Sequence, residues 1–156
     1  MNITLRKATL SDAARVADIL LASHKAFLAF AASPHTDEEI RAWVRDILLS
    51  SEDVTLALRG VQVVGVLAVQ QTDEASWLTQ LYLDPPCVGQ GIGSQLLAHA
   101  VATLALPIRL YTFQQNTGAR RFYERAGFVP IQFTDGKRNE ERCPDVLYEF
   151  GTAVTG

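Results

Sequence analysis

Three closely spaced glycines, Gly89, Gly91 and Gly93, separate a strand-like run at residues 80–84 from a helix-forming run that begins near Ser94. A strand that enters a helix through such a turn directs several unpaired backbone N–H groups at one point, with the positive end of the helix dipole behind them. Glycine also permits unusual backbone angles and close approach by a ligand. The stretch predicts binding of a pyrophosphate, although glycines alone are equally compatible with a tight connection that binds nothing.

Two familiar phosphate-binding motifs do not fit this loop. A P-loop requires lysine before its final Ser or Thr, whereas Gly93 is followed directly by Ser94. A dinucleotide-binding GxGxxG motif would place glycine at Ser94 when counted from Gly89, or at Leu96 when counted from Gly91. Nucleotide hydrolysis and hydride transfer are therefore disfavoured.

A second candidate segment lies at residues 116–128. Ala119, Phe122 and Tyr123 stand three and four positions apart, so they share one face of a predicted helix. Asn116 stands at the helix start, where its side chain can cap the helix or meet a ligand. We expect Phe122 to belong to the core, whereas Tyr123 is compatible with either a buried structural role or a chemical one.

The elements that would position these segments alternate between strands and helices in one α/β domain with a mixed sheet. Ser11 is the expected cap of the first helix, with Asp12 in its first turn and an apolar face that continues to Phe27 and Phe30. Thr36 and Glu39 form a capping-box pattern for the second helix. Strands are expected at residues 2–7, 54–59, 61–70, 77–83, 108–113, 128–133 and 146–150, and the later helices at 94–105 and 117–126.

Together, the two segments resemble the GCN5-related N-acetyltransferase (GNAT) superfamily. Residues 88–93 are similar to its Q/R-x-x-G-x-G/A loop, and residues 116–128 to its N-x-x-A-x-x-F/L-Y-x-x-x-G-F segment. The resemblance covers nearly the whole chain and implies a single domain over residues 1–156. It also implies a mixed, mostly antiparallel sheet of about seven strands with four helices, splayed between the fourth and fifth strands.

The implied function is acyl-CoA-dependent N-acyl transfer, from acetyl-CoA to a primary amine of a small molecule or peptide. The alternative is a non-catalytic acyl-CoA-binding or sensing domain. By the resemblance, Tyr123 would be the general acid at the thioester sulfur. The other implied acetyl-CoA contacts are the strand backbone at Leu81, Tyr82 and Leu83, the amides of Gly89, Gln90, Gly91, Ile92, Gly93 and Ser94, and the side chain of Asn116.

The sequence departs from the family pattern at two positions. Val88 stands where the family has Gln or Arg, which we expect to weaken acetyl-CoA affinity modestly. Tyr111 stands where some members have a glutamate that could act as the general base. The identity of the base is therefore open, with Gln80 and Asp84 among the polar candidates.

The acceptor side is indicated by a branch of the superfamily with similar HTxEE and NEExxPD stretches. That similarity places His35, Glu140 and Glu141 near the acceptor, with the glutamates as base or as ligands of a cationic amine. A simply solvated charged loop is an equally open interpretation.

Composition narrows the class of protein further. The 156 residues carry a net charge of −3 and scattered arginines, which argues against nucleic-acid binding. No apolar run reaches the ~18 residues of a membrane span, and residues 1–20 do not resemble a signal peptide. Cys87 and Cys143 stand far apart without metal-ligand spacing, so we expect free thiols, no metal and a cytoplasmic protein. Family members often dimerise, which leaves a homodimer open.

Overall fold

The computed structural model describes residues 2–31 and 33–151, and within them a seven-stranded sheet is flanked by helices on both faces. The strands are β1 (Ile3–Lys7), β2 (Asp53–Arg59), β3 (Gln62–Gln71), β4 (Ser76–Leu83), β5 (Ile108–Phe113), β6 (Val129–Phe133) and β7 (Asp145–Phe150). The helices are α1 (Ala13–Phe27), α2 (Asp37–Trp43), α3 (Ile92–Thr103) and α4 (Thr117–Arg125). A π-helical segment, Val44–Leu48, and a last turn, Leu49–Ser51, extend α2.

The strand order is β1-β2-β3-β4-β5-β7-β6, and β4–β5 is the parallel pair in an otherwise antiparallel sheet. This order confirms the mixed, mostly antiparallel sheet that the sequence predicts. The pairing of β4 with β5 covers two residue pairs, Ser76 with Ile108 and Trp77 with Arg109. Beyond these pairs the two strands separate, which confirms the splay between the fourth and fifth strands.

Two apolar layers hold the sheet between the helices. One face packs against α3 and α4, with Leu96 and Tyr148 fully buried, and the other packs against α1 and the extension of α2, with Ile19 and Leu48 fully buried. The middle of β3 is buried on both faces, since every residue from 63 to 69 is buried. This double burial explains why β3 is an uninterrupted run of small and aliphatic residues.

The start of α1 differs from the prediction. Thr9 caps a 3₁₀ turn, Leu10–Asp12, that leads into α1, and Asp12, not Ser11, stands at the cap position of α1 itself. Asp12 Oδ2 accepts a hydrogen bond of 2.8 Å from the Thr9 backbone N–H. The same carboxylate takes two hydrogen bonds of 2.9 Å from Arg6, which hold the pKa of Asp12 at about 2. Hydrogen bonds from Arg6 on β1 and from Thr9 in the following loop thus fix Asp12 at the start of the helix.

Other boundaries follow the prediction more closely. The Thr36–Glu39 capping box is confirmed by reciprocal hydrogen bonds of 3.0 and 3.1 Å. The helix predicted to begin at Ser94 begins at Ile92, because Gly91 takes a left-handed conformation and is itself the cap. The expected extension of the first helix's apolar face was wrong: α1 ends at Phe27, and Phe27 and Phe30 are both exposed.

Candidate functional site

The separation of β4 from β5 opens a cavity of about 790 Å³. Leu81 and Tyr82 of β4 lie along one wall, and Asn116 and Tyr123 lie at the helical end. On their other edge, Leu81, Tyr82 and Leu83 pair with β3, so their ladder toward β5 is open. The cavity therefore presents both unpaired strand backbone and polar side chains to one elongated space.

The glycine loop lies between the carboxyl end of β4 and the start of α3. Gly89 and Gly91 have φ angles of 79° and 83°, which favour glycine. A Cβ at either position would meet no atom within 4 Å, so the loop borders open space. No side chain of the described residues caps the first turn of α3. The N–H groups of Ile92, Gly93 and Ser94, which lack partners within the helix by geometry, are thus available to an anion.

Tyr123 lies on the inner face of α4, with its ring wedged among other aromatic rings. It makes edge contacts with Phe122 and Phe128, with centroid separations of 5.2 and 5.8 Å, and lies 6.3 Å from Tyr148. Burial, with a smaller contribution from nearby Tyr82, raises the pKa of Tyr123 well above its usual value. The phenol therefore stays protonated at neutral pH and can act as a proton donor.

Asn116 caps α4, and its Oδ1 accepts a hydrogen bond of 3.2 Å from the Ala119 backbone N–H. Of the two roles that the sequence leaves open for Asn116, this contact establishes the structural one. The side chain also lines the cavity, so a ligand contact is compatible with the cap.

A second cavity, of about 560 Å³, opens between α1, α2 and the loop that precedes β7. His35, Glu140 and Glu141 all line it. His35 Nε2 lies 3.0 Å from the Glu140 carboxylate, and its Nδ1 lies 3.8 Å from Glu39. Two chain segments more than a hundred residues apart therefore meet at the rim of one cavity.

Tyr82 and Glu141 line both cavities and mark where they adjoin. Burial, and then the charge of Glu141, raises the pKa of Tyr82 to about 12. Glu141 is partly buried, whereas the side chain of Glu140 is 65% exposed. The two adjacent glutamates thus occupy different places: Glu140 lies at the outer rim with His35, and Glu141 lies at the junction.

The loop that carries both glutamates is fixed by its own hydrogen bonds. Asn139 Nδ2 donates to the Cys143 carbonyl at 2.6 Å and to the buried Asp145 at 3.2 Å, and Cys143 N–H donates back to Asn139 at 3.1 Å. Gly136 begins this turn with a φ of 81°, packed closely against the backbone of Cys143. These contacts give the glutamates defined backbone positions.

Residues 15–128 match the family model described as the Acetyltransferase (GNAT) family. The chain belongs to the GNAT family. A curated relative, the peptidyl-lysine N-acetyltransferase YjaB of Salmonella typhimurium, is 46% identical over 48 residues, which are 31% of this chain and 32% of that protein. The matched segment thus spans about a third of the relative's length.

Solved structures with the same fold span nearly the whole chain. The PaiA N-acetyltransferase of Thermoplasma acidophilum, solved with coenzyme A, has a TM-score of 0.75 and 24% identity, over 96% of this chain and 98% of its own. Apo YjaB of Escherichia coli has a TM-score of 0.77 and 22% identity, over 96% and 98%. The ribosomal-protein-S18-alanine N-acetyltransferase of E. coli has a TM-score of 0.76 and 16% identity, over 99% and 97%. These similarities confirm the GNAT fold.

The remaining polar candidates take different places in this GNAT fold. Asp84 is paired with Arg15 at 2.8 Å, which fastens α1 to the end of β4. Gln80 lines the second cavity. Tyr111 lines the first cavity and stacks on Trp77, with a centroid separation of 5.7 Å. Among the described residues, no group of three or more His, Cys, Asp or Glu side chains is arranged to hold a metal ion, and no helix is long and apolar enough to cross a membrane.

Proposed function

We propose that this protein is an N-acyltransferase that moves an acetyl group from acetyl-CoA to a primary amine of a small molecule or peptide. The observation that carries the proposal is the cavity between β4 and β5, which brings the open backbone of β4 and the half-buried phenol of Tyr123 to one space. Membership of the GNAT family supports it. The resemblance to PaiA, which was solved with coenzyme A, supports the choice of acyl carrier.

Acetyl-CoA would supply an activated thioester, and the residues present fit the parts of that molecule. The backbone of Leu81, Tyr82 and Leu83 offers donors and acceptors to the amides of the pantetheine arm, because β5 does not occupy that edge. The six residues of the glycine loop, Gly89, Gln90, Gly91, Ile92, Gly93 and Ser94, offer amides to the pyrophosphate. Asn116 would meet the arm from the start of α4.

Tyr123 is the proposed general acid. Acyl transfer to an amine needs a proton for the departing thiolate, and a tyrosine that stays protonated at neutral pH can deliver it. Because its pKa is raised, the Tyr123 phenol stays protonated through the physiological pH range. This reactive group also argues against the purely sensing alternative, which would need no proton donor at the sulfur.

The amine acceptor is proposed to enter through the second cavity. A lysine-like amine has a pKa of about 10.4 and is almost wholly protonated at pH 7, so it must lose a proton before attack. Glu141 lies where the two cavities adjoin, and we propose it as the base, acting directly or through water. Glu140 and His35 would hold the acceptor at the rim, where the acidic side chains favour a cationic amine.

We place the protein in the cytoplasm, as one domain over residues 1–156. The two cysteines of the described residues are both free and buried, which is compatible with a reducing compartment. Acetyl-CoA and the amine are the proposed partners, without a nucleic acid. A homodimer stays a prediction from the family resemblance.

Isothermal titration with acetyl-CoA tests the proposed function. We expect binding by the wild type and none by Gly91→Glu, because a side chain strains the left-handed backbone at this position and the new carboxylate would repel phosphate from the open space beside the loop. Ala98→Glu is a matched control, since it adds the same charge to an exposed position of the same helix. Parallel titrations with ATP and NAD test the nucleotide alternative.

Turnover with a panel of primary amines then separates catalysis from sensing. We expect release of CoA with at least one cationic amine. Tight acetyl-CoA binding without turnover on any amine would favour the sensing domain, and absence of binding by the wild type would refute the proposed function.

A further inference from the structure

An arginine from β2 lies against the glycine loop, although it is about thirty residues away in the sequence. Arg59 is the last residue of β2, and its Nη2 donates a hydrogen bond to the side-chain oxygen of Gln90. Its Nη1 lies 3.8 Å from Cys87 Sγ. Both partners belong to the connection between β4 and α3, so the guanidinium lies against the segment that carries the proposed pyrophosphate site.

The β2–β3 hairpin brings Arg59 there. The turn at Gly60 places Arg59 opposite Gln62 at the start of β3, and β3 runs antiparallel to β4. The hairpin therefore lies at the same end of the sheet as the carboxyl end of β4. Asp84 N–H donates to the Val64 carbonyl at 2.9 Å, which ties the start of the connection between β4 and α3 to the same hairpin.

Among the residues that the structure describes, Arg59 forms no salt bridge. No carboxylate of the described residues lies within 4.0 Å of its guanidinium, although the side chain is half-buried and its Nε has no hydrogen-bond partner. Removing a cation from water without a counter-charge is unfavourable. A bound phosphate beside the loop would provide that counter-charge.

The same position also compensates for a residue that the loop lacks. Val88, which is 45% exposed, stands where the family pattern has Gln or Arg, and its side chain can offer neither charge nor hydrogen bond. Gln90 links Arg59 to the loop, since its Nε2 donates to the Pro86 carbonyl at 3.3 Å. Arg59 thus both holds the loop through Gln90 and brings a positive charge to it from β2.

We propose that Arg59 is the cation that binds the diphosphate of acetyl-CoA in this protein, supplied from β2 in place of the loop residue at position 88. This inference rests on the proposed function, since it assumes that the glycine loop holds that diphosphate. The ligand chemistry is a diphosphate ester, and the adenine and the 3′-phosphate are not part of the site.

Titration of CoA into Arg59→Gln tests the inference by affinity alone. We expect the Kd for CoA to rise about tenfold at low salt, because a charge-assisted interaction is lost while an amide remains to brace Gln90. Dephospho-CoA, which keeps the diphosphate, should weaken by the same factor, and acetylpantetheine, which has none, should bind both proteins equally. The difference between the proteins should narrow as salt rises, since screening weakens the charge.

Arg45→Gln is the matched control, because it removes the same charge from an exposed arginine that pairs with Asp46 on the extension of α2. Its CoA affinity should equal that of the wild type. Thermal melting of each variant establishes that it is folded before titration, and Arg59→Lys, which keeps the charge, should recover most of the affinity.

Three outcomes would overturn the proposal while leaving the proposed function in place. The first is an unchanged CoA affinity in Arg59→Gln. The second is a loss of affinity for CoA that is absent with dephospho-CoA. The third is an equal loss of affinity for acetylpantetheine, which would show that Arg59 only shapes the site. Failure of the wild type to bind CoA at all would instead refute the proposed function.

Discussion

Replacing Tyr123 with phenylalanine removes one hydroxyl from the centre of the proposed site and leaves the ring in place. The ring makes the packing contacts with Phe122, Phe128 and Tyr148, which phenylalanine retains. Among the described residues, the hydroxyl has no hydrogen-bond partner. We therefore expect a free energy of unfolding within about 0.5 kcal/mol of the wild type and unchanged acetyl-CoA affinity.

The effect on turnover should be much larger. Loss of a general acid typically lowers kcat by about 10²- to 10⁴-fold, which corresponds to about 3 to 5 kcal/mol of transition-state stabilisation. Burial raises the pKa of Tyr123, so the phenol is protonated at every pH below its ordinary value of 10.0. The ratio of wild-type to variant kcat should therefore be constant between about pH 6 and pH 9.

The assay follows CoA release with a thiol reagent at saturating acetyl-CoA and amine, across that pH range. Tyr148→Phe is the matched control, because its hydroxyl bonds Glu124 at 2.5 Å and Arg120 at 3.1 Å away from the cavity. That variant should lose about 1 kcal/mol of stability and keep kcat within about threefold. If kcat of Tyr123→Phe lies within about threefold of the wild-type value, Tyr123 is not the general acid, and water or another residue supplies the proton.

Three further predictions concern the acceptor side and the fold. Glu141→Gln should lower kcat at least about tenfold, whereas Glu140→Gln should chiefly raise KM for a cationic amine; equal turnover in both variants across an amine panel would refute the base assignment. Asp12→Asn should lose about 1 to 2 kcal/mol at pH 7 in urea unfolding. The folded-state pKa of Asp12 is lowered from 3.8 to about 2, so the carboxylate's stabilisation should be present above pH 4 and vanish as the pH falls to 2. Gly136→Ala should destabilise the protein by more than about 2 kcal/mol, because its Cβ would lie 2.3 Å from a backbone carbon, while Gly60→Ala, with open space around it, should cost only about 1 kcal/mol in thermal melting.

Local signals predicted most of the elements. The capping box at Thr36 and Glu39 involves residues three apart, and the glycine loop lies within one short segment, so both could be identified from the sequence. The cap at the start of the first helical segment could not, because Thr9 and Ser11 have the same chemical character. What decides between them is the hydrogen bonding of Asp12 to Arg6, on a strand that precedes the helix.

The site shows the same division between local and long-range information. Tyr123 and Asn116 fall within one contiguous segment, and the structure brings both to the cavity. No local sequence pattern pointed to Arg59, because its place beside Gln90 depends on how β2, β3 and β4 pair in the sheet. Tyr82 and Glu141 likewise meet only because the loop between β6 and β7 lies near β4 in the fold, which spacing along the chain does not encode.

The two-residue contact between β4 and β5 has a consequence for the protein without its ligand. Each strand exposes a row of backbone donors and acceptors toward the other, so the molecule carries two edge strands in its interior as well as those at its margins. Uncovered edges are templates for pairing with other chains. An occupant that carries amides would satisfy these groups and fasten one half of the sheet to the other. Ligand binding should therefore join the two halves of the sheet. Slower hydrogen exchange of the β4 and β5 backbone amides in the presence of the ligand would measure this effect.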